Sequence, residues 1–135
     1  MNALIDANVI IAAFLDEADR TPASKQILLS FKEGRIQHLF TTSYVMVEVI
    51  SFLLRRGTFQ QAHDAYLFFT KTERLSLEYI GSSYEFSIRD MFQKFKSLTL
   101  TDCSLVVIGE EKGINTLYSF DSGFDKVKGI MRLEK

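Results

Sequence analysis

The sequence predicts an α/β protein: a parallel sheet with helices on both faces. Three observations carry this. Short apolar runs of strand length alternate with longer helical stretches along the whole chain. No two strand-like runs are joined by a hairpin signal, so the connections read as βαβ crossovers rather than an antiparallel meander. The chain has 135 residues, 47% of them hydrophobic and 24% charged, which is enough for one globular domain, 1–135, with its own core.

Taken in order, Ala3, Leu4 and Ile5 form a short apolar strand that ends at Asp6, and 8–15 reads as a buried helix. Asp6 therefore closes a strand and opens a helix, a position where Asp is a good N-cap. Asp16, Glu17 and Asp19 make a solvated acidic loop. Thr21-Pro22 opens the next helix, with Thr as cap and Pro at the first helical position, and the helix runs to Gly34. A second strand, 37–41, carries His38; His63 lies on a later helix at no metal-ligand spacing from it, so zinc is not indicated. The helix 43–56 is apolar nearly all round and is expected to be buried, with Glu48 its only acid. Glu48, Ser51 and Arg55 share a stripe that faces either bulk water or a wet cleft.

Thr58 with Gln61 is a capping-box start for a helix through Phe69. Phe59, Ala62, Tyr66 and Phe69 fall on one face of it with Phe68 alongside, a stripe suited to core or subunit contact. A third strand, 75–80, leads to a helix over 82–95. The helix that carries Asp102 in its opening turn runs through Leu105, Val106, Val107 and Ile108 and stops at Gly113. A strand over 115–120 is followed by the turn Asp121-Ser122-Gly123, and 129–133 is a last short strand.

Strand C-termini and the helix N-termini that follow them lie along one edge of a parallel sheet. Asp6, Asp102 and Asp121 all fall at such joints, and Glu48 follows a strand in the same way. Singly, each has an ordinary structural use. Thr99 with Asp102 is a capping box, and Asp121 is a common turn residue. Together, carboxylates without a cation repel one another and drive protonation upward. A hard divalent cation such as Mg²⁺ or Mn²⁺ relieves that and suits phosphoryl chemistry by water attack. Asn8, Thr101 and Ser119 stand beside the acids as groups able to orient carboxylates or metal-bound water. Arg55, Arg56, Lys94 and Lys96 are the basic residues offered to a nucleic-acid backbone, although the two arginines also suit a helix C-terminus.

The formal charge of -1 excludes a general basic field, so any nucleic-acid contact must be local. The single cysteine, Cys103, excludes an internal disulfide and fits a reducing compartment. The opening residues lack a basic n-region and no run is long enough to span a bilayer, so a cytoplasmic protein with no membrane partner is expected.

The opening LIDANVII, Glu48 within TTSYVMVEVI, the segment LTDCSLVVIGEEKGI and the later YSFDSGFDKV, in this order and spacing, resemble a PIN-domain protein of the small VapC-like toxin ribonuclease type. The resemblance covers essentially the whole chain. It implies a three-layer α/β/α fold on a five-stranded parallel sheet, with Asp6, Glu48, Asp102 and Asp121 as an acidic quartet around Mg²⁺ or Mn²⁺. It also implies cleavage of single-stranded RNA, a homodimer and a VapB-like antitoxin as partner. Asn8 and Ser119 match the family's polar positions beside the first and fourth acids, and Asp125 is peripheral. Where the family often has Thr or Ser, this chain has Ala7.

Two rival readings stand beside this one. A receiver-like phosphoacceptor domain would need an aspartate ending a central third strand, but that strand ends Tyr79-Ile80-Gly81. A catalytically silent PIN-fold module that binds RNA or protein would keep the fold and lose the chemistry.

Overall fold

Five strands, β1 (Asn2–Ile5), β2 (His38–Thr42), β3 (Leu75–Glu78), β4 (Thr116–Tyr118) and β5 (Met131–Leu133), form one sheet in the order β3-β2-β1-β4-β5. The computed structural model describes residues 1–16 and 19–135. Every pairing is parallel, with Leu4 opposite both Phe40 and Leu117, Thr41 opposite Leu77 and Tyr118 opposite Leu133. Both faces of the inner strands are covered, so β1 carries the apolar run Ala3-Leu4-Ile5, and the threonines of β2 and β4 (Thr41, Thr42 and Thr116) are buried. Ala3, Leu4, Ile5, Leu39 and Leu117 have no exposed surface.

The helices are α1 (Ala7–Leu15), α2 (Thr21–Lys32), α3 (Ser43–Arg56), α4 (Phe59–Lys71), α5 (Ser82–Lys94) and α6 (Leu100–Lys112). The chain steps from β1 to β2 to β3 in one direction, then returns past β1 to β4. Right-handed crossovers in opposite directions put their helices on opposite faces. Accordingly α1 packs with α2, α3 and α4, while α5 packs with α6, giving the three-layer α/β/α arrangement. The direction reverses between β1 and β4, which opens a crevice at their carboxyl ends. Gly109 lets α6 lie close to β1, since a Cβ there would meet Leu4 Cδ1 at 2.8 Å and the Ile114 carbonyl at 2.7 Å. Because β3 is an edge strand, the receiver-like reading loses its central acceptor strand as well as its aspartate.

Several local expectations need correction. Thr21 does not cap α2: its hydroxyl donates to the Ala12 carbonyl (2.7 Å), tying α2 to α1, and Arg20 occupies the cap position. α3 is not buried all round. Val45, Val49 and Leu53 enter the core, while Val47 and Leu54 are 61% and 53% exposed. On α4 the buried stripe is Ala62, Ala65 and Phe69, and Phe59 and Tyr66 stand outside it at 72% and 47% exposure. Phe68 packs on Phe14, with ring centroids 5.8 Å apart. Glu17 of the acidic loop lies outside the described residues; Asp16 is exposed and pairs with Lys25. Among the described residues, no helix is long and apolar enough to cross a membrane.

Candidate active site

Asp6 is the residue after β1 and the N-cap of α1. Asp121 follows β4 and caps a short 3₁₀ helix, Ser122–Lys126. Asp102 sits in the first turn of α6, and Glu48 on the second turn of α3. All four line one cleft of about 310 Å³, together with Asn8, Ile11, Phe52, Arg55 and Thr99. The cleft opens where β1 and β4 end, at the point where the chain's direction across the sheet reverses.

The aspartates are held by their own backbone surroundings. Asp6 Oδ1 accepts from the Ala7 N–H (2.7 Å), and its Oδ2 accepts from the Ser119 hydroxyl (2.7 Å). Ser119 Oγ in turn accepts from the Asp121 N–H (3.0 Å) and from Asn8 Nδ2 (3.4 Å). Asn8 Oδ1 accepts from the Phe120 N–H (3.2 Å), so one polar cluster joins the ends of β1 and β4. Asp102 forms the expected capping box. Its Oδ2 accepts from the Thr99 N–H (2.9 Å), and its own N–H donates to Thr99 Oγ1 (3.1 Å). Asp121 Oδ1 accepts from the Gly123 N–H (2.8 Å), and a Cβ on Gly123 would crowd that oxygen at 3.1 Å.

The carboxyls feel one another. Burial, and then the charge of Asp102, push Asp6 up to about 7 against the opposing hydrogen bonds from Ser119 and Ala7; Glu48 adds a smaller push. Burial raises Asp102 as well, resisted by its bond from the Thr99 backbone, with Asp121's charge adding to the rise. Glu48 is an exposed residue that turns its carboxyl into the cleft, and there burial and then Asp102 raise it. Cys103, buried beside Asp102, is pushed up to about 11 and is no thiolate nucleophile.

An all-oxygen donor set under mutual repulsion matches a hard divalent cation. Among the described residues, no three His, Cys, Asp or Glu side chains close tightly on a single point. The acids instead line a small open cleft. Mg²⁺ fits such a site because it keeps several waters and takes only one or two carboxylates directly.

The other expected residues divide. Asn8 and Ser119 are in the cluster. Thr101 is not: it lies outside the cleft lining, and its carbonyl accepts from the Ser104 hydroxyl (2.6 Å), so Thr99 is the threonine that steadies Asp102. Arg55 lines the cleft, whereas Arg56, Lys94 and Lys96 do not; Lys94 pairs with Asp90 on its own helix (3.2 Å). Asp125 is peripheral, bound by Arg132, whose guanidinium also donates to the Ser119 carbonyl (3.2 Å).

The sequence reading missed a buried hydroxyl pair. Thr42, the cap of α3, meets Ser104 of α6 at 2.8 Å, linking the helices that carry Glu48 and Asp102. Its only signal is Thr42 before a helix start, which does not name a partner 62 residues away.

The family model described as PIN domain matches residues 3–130. No curated protein matches the chain. Several solved structures share its fold. VapC20 of Mycobacterium tuberculosis, a sarcin-ricin loop cleaving toxin, superposes with a TM-score of 0.82 at 16% identity, over 93% of this chain and 95% of its own. A toxin–antitoxin complex from Klebsiella pneumoniae gives 0.71 at 16% identity, covering 96% of this chain and 95% of that one. VapBC2 from Rickettsia felis, bound to a DNA fragment of its promoter, gives 0.68 at 13% identity and 98% of both chains.

Proposed function

Because the chain belongs to the PIN-domain family, we propose that it is an Mg²⁺- or Mn²⁺-dependent endoribonuclease that hydrolyses phosphodiester bonds of single-stranded RNA, the toxin of a VapBC-type pair. One observation carries the chemistry: acids from four separate elements line one cleft, where burial and then neighbouring carboxylate charge raise the proton affinity of Asp6, Asp102 and Glu48. Among the described residues no thiolate or histidine lines that cleft, which supports water as the nucleophile. The likeness in fold to VapC20 and to the two toxin–antitoxin complexes supports RNA as substrate and a VapB-like protein as partner.

In this reading Asp6, Asp102, Asp121 and Glu48 would hold the cation, which would supply a lowered pKa to the attacking water and stabilisation to the leaving oxygen. Ser119 and Asn8 fix the Asp6 and Asp121 carboxyls in place through the bonds described above. Glu48, bordering solvent, takes the proton from water as its oxygen bonds to phosphorus. The phosphorus–O3′ bond breaks, the ribose oxygen is protonated from solvent, and the product carries a 5′-phosphate. The exposed apolar residues of α3 and α4 support a homodimer.

The test is incubation with unstructured RNA in Mn²⁺ or Mg²⁺ and again in excess EDTA. Cleavage with the metals and none with EDTA is the expected result. Undiminished cleavage in EDTA rejects the metal-dependent mechanism. No cleavage with either metal leaves a silent binding module.

A further inference from the structure

The cleft contains more than acids. Glu48, Phe52 and Arg55 line it from α3, at helical spacing i, i+4 and i+7, so they form one stripe along a single helix face. Ser51, expected on this stripe, is not in the lining, and Phe52 takes the place between acid and base. Phe52 is half-buried, its inner side against the core and its outer side in the cleft, with Ile11 as a second apolar lining residue. A flat apolar ring adds nothing to cation holding, but it offers a surface that any nucleobase can stack upon.

Arg55 is the one basic residue in the lining and has no ion pair among the described residues, although the cleft around it is acidic. Arg56 beside it lies outside the lining and is left to offset the helix dipole. From Glu48 to Arg55 the helix rises about 10 Å. Two helical turns therefore separate the acid end of the stripe from its basic end, which leaves room for a neighbouring phosphate beyond the one at the acids.

We propose that the Phe52–Arg55 face of α3 is the subsite for the nucleotide next to the scissile bond of single-stranded RNA, its base stacked on Phe52 and its far phosphate held by Arg55. This rests on the nuclease reading and adds to it where the RNA strand runs: along α3, away from the acids. The subsite is sequence-tolerant, because stacking and a phosphate contact discriminate weakly between bases.

The test separates the two contacts. In an Asp6→Asn background, which spares the RNA, binding of a fluorescent unstructured oligoribonucleotide is followed by anisotropy at fixed Mn²⁺ over a series of salt concentrations. Arg55→Ala should flatten the plot of log affinity against log salt by about 0.7, the loss of one single-strand phosphate contact, and Arg55→Lys should restore it. Phe52→Leu, which keeps the core filled, should weaken binding on the order of tenfold at every salt concentration without altering the slope, and Phe52→Trp should recover it. An unchanged slope in Arg55→Ala, an exposed position that does not endanger the fold, overturns the proposal. So does unchanged affinity in Phe52→Leu. If the wild-type chain cleaves RNA with Mn²⁺ while these variants bind normally, only the subsite fails. If the wild-type chain neither cleaves nor binds RNA, the nuclease reading fails with it.

Discussion

Replacing Asp6 with Asn should stabilise the metal-free protein, and the size of the effect follows from the site. The rise of Asp6 from 3.8 to about 7 converts, at about 1.4 kcal/mol for each tenfold change in proton affinity, into about 4 kcal/mol of destabilisation once the carboxyl is ionised. Below pH 3.8 both folded and unfolded chains hold the proton, and the penalty is absent. Between 3.8 and about 7 the folded chain keeps a proton that the unfolded chain has lost, so stability falls as pH rises, and above 7 the loss is complete. Asn carries no charge and still accepts from the Ala7 N–H, but it leaves the Ser119 hydroxyl without its carboxylate acceptor. That loss costs about 1–3 kcal/mol. The net gain is about 2 kcal/mol at pH 8, on the order of 6–8 °C in Tm for a chain of this length. At pH 4.5 the advantage should vanish or reverse. The assay is a set of circular-dichroism melts in EDTA at both pH values, repeated at pH 8 with Mn²⁺. Mn²⁺ should raise the wild-type Tm, by the equivalent of about 2.7 kcal/mol at a hundredfold excess over Kd, and raise that of the variant much less. A variant that melts below wild type at pH 8 in EDTA, with an equal shift on adding Mn²⁺, would show that Asp6 is only a helix cap.

Two further outcomes are expected. Thr99→Ala should lower stability by about 1 kcal/mol through loss of the α6 cap and reduce cleavage as well, because the Asp102 N–H loses Thr99 Oγ1 and the first turn that aims its carboxyl loosens; Thr101→Ala should leave cleavage unchanged, and equal effects in the two variants would refute the assignment. Leu54→Glu, at a position 53% exposed on α3, should convert a dimer to monomer in sedimentation equilibrium while the chain stays folded by circular dichroism; a wild-type chain that is already monomeric at high concentration would remove self-association from the reading.

Much of the fold was legible because its signals are local. A strand that is buried on both faces reads as an apolar run, as Ala3-Leu4-Ile5 of β1 does. The capping boxes at Thr58–Gln61 and Thr99–Asp102 are written within four residues and were found where expected. What failed depends on partners distant in sequence. Thr21 followed by Pro22 carries every local mark of a cap, yet the Ala12 carbonyl, nine residues back, takes its hydroxyl. Composition makes α3 a buried helix, but only Val45, Val49 and Leu53 are fully buried, since α3 covers one face of the sheet and its outer side at Val47 and Leu54 stays exposed. Thr101 and Thr99 both flank Asp102 in sequence. Choosing between them requires knowing that the N–H groups of a first helical turn point back toward the cap, which puts Thr99 against the carboxyl and turns Thr101 away.

The structural uses of the acids are compatible with a candidate ligand role, and the hydrogen bonds explain why. Each aspartate is a structural residue as well as a candidate ligand, and the two uses fall on different oxygens. Asp102 spends Oδ2 on the Thr99 N–H, and Asp121 spends Oδ1 on the Gly123 N–H; the second oxygen of each has no hydrogen bond among the described residues. A cap therefore suits a candidate ligand: tying one oxygen to the backbone restricts the carboxylate and leaves its second oxygen unbonded. Asp6 differs, since both of its oxygens are engaged, one by Ala7 and one by Ser119. A hydroxyl bond leaves lone pairs on the carboxylate, so Asp6 can still bind a cation, but Ser119 then sets its direction. Glu48 has no such tether and reaches the cleft from a helix flank. Of the four it should be the one whose replacement by Gln least alters the metal-free fold, and the one free to move as a proton is taken up and released.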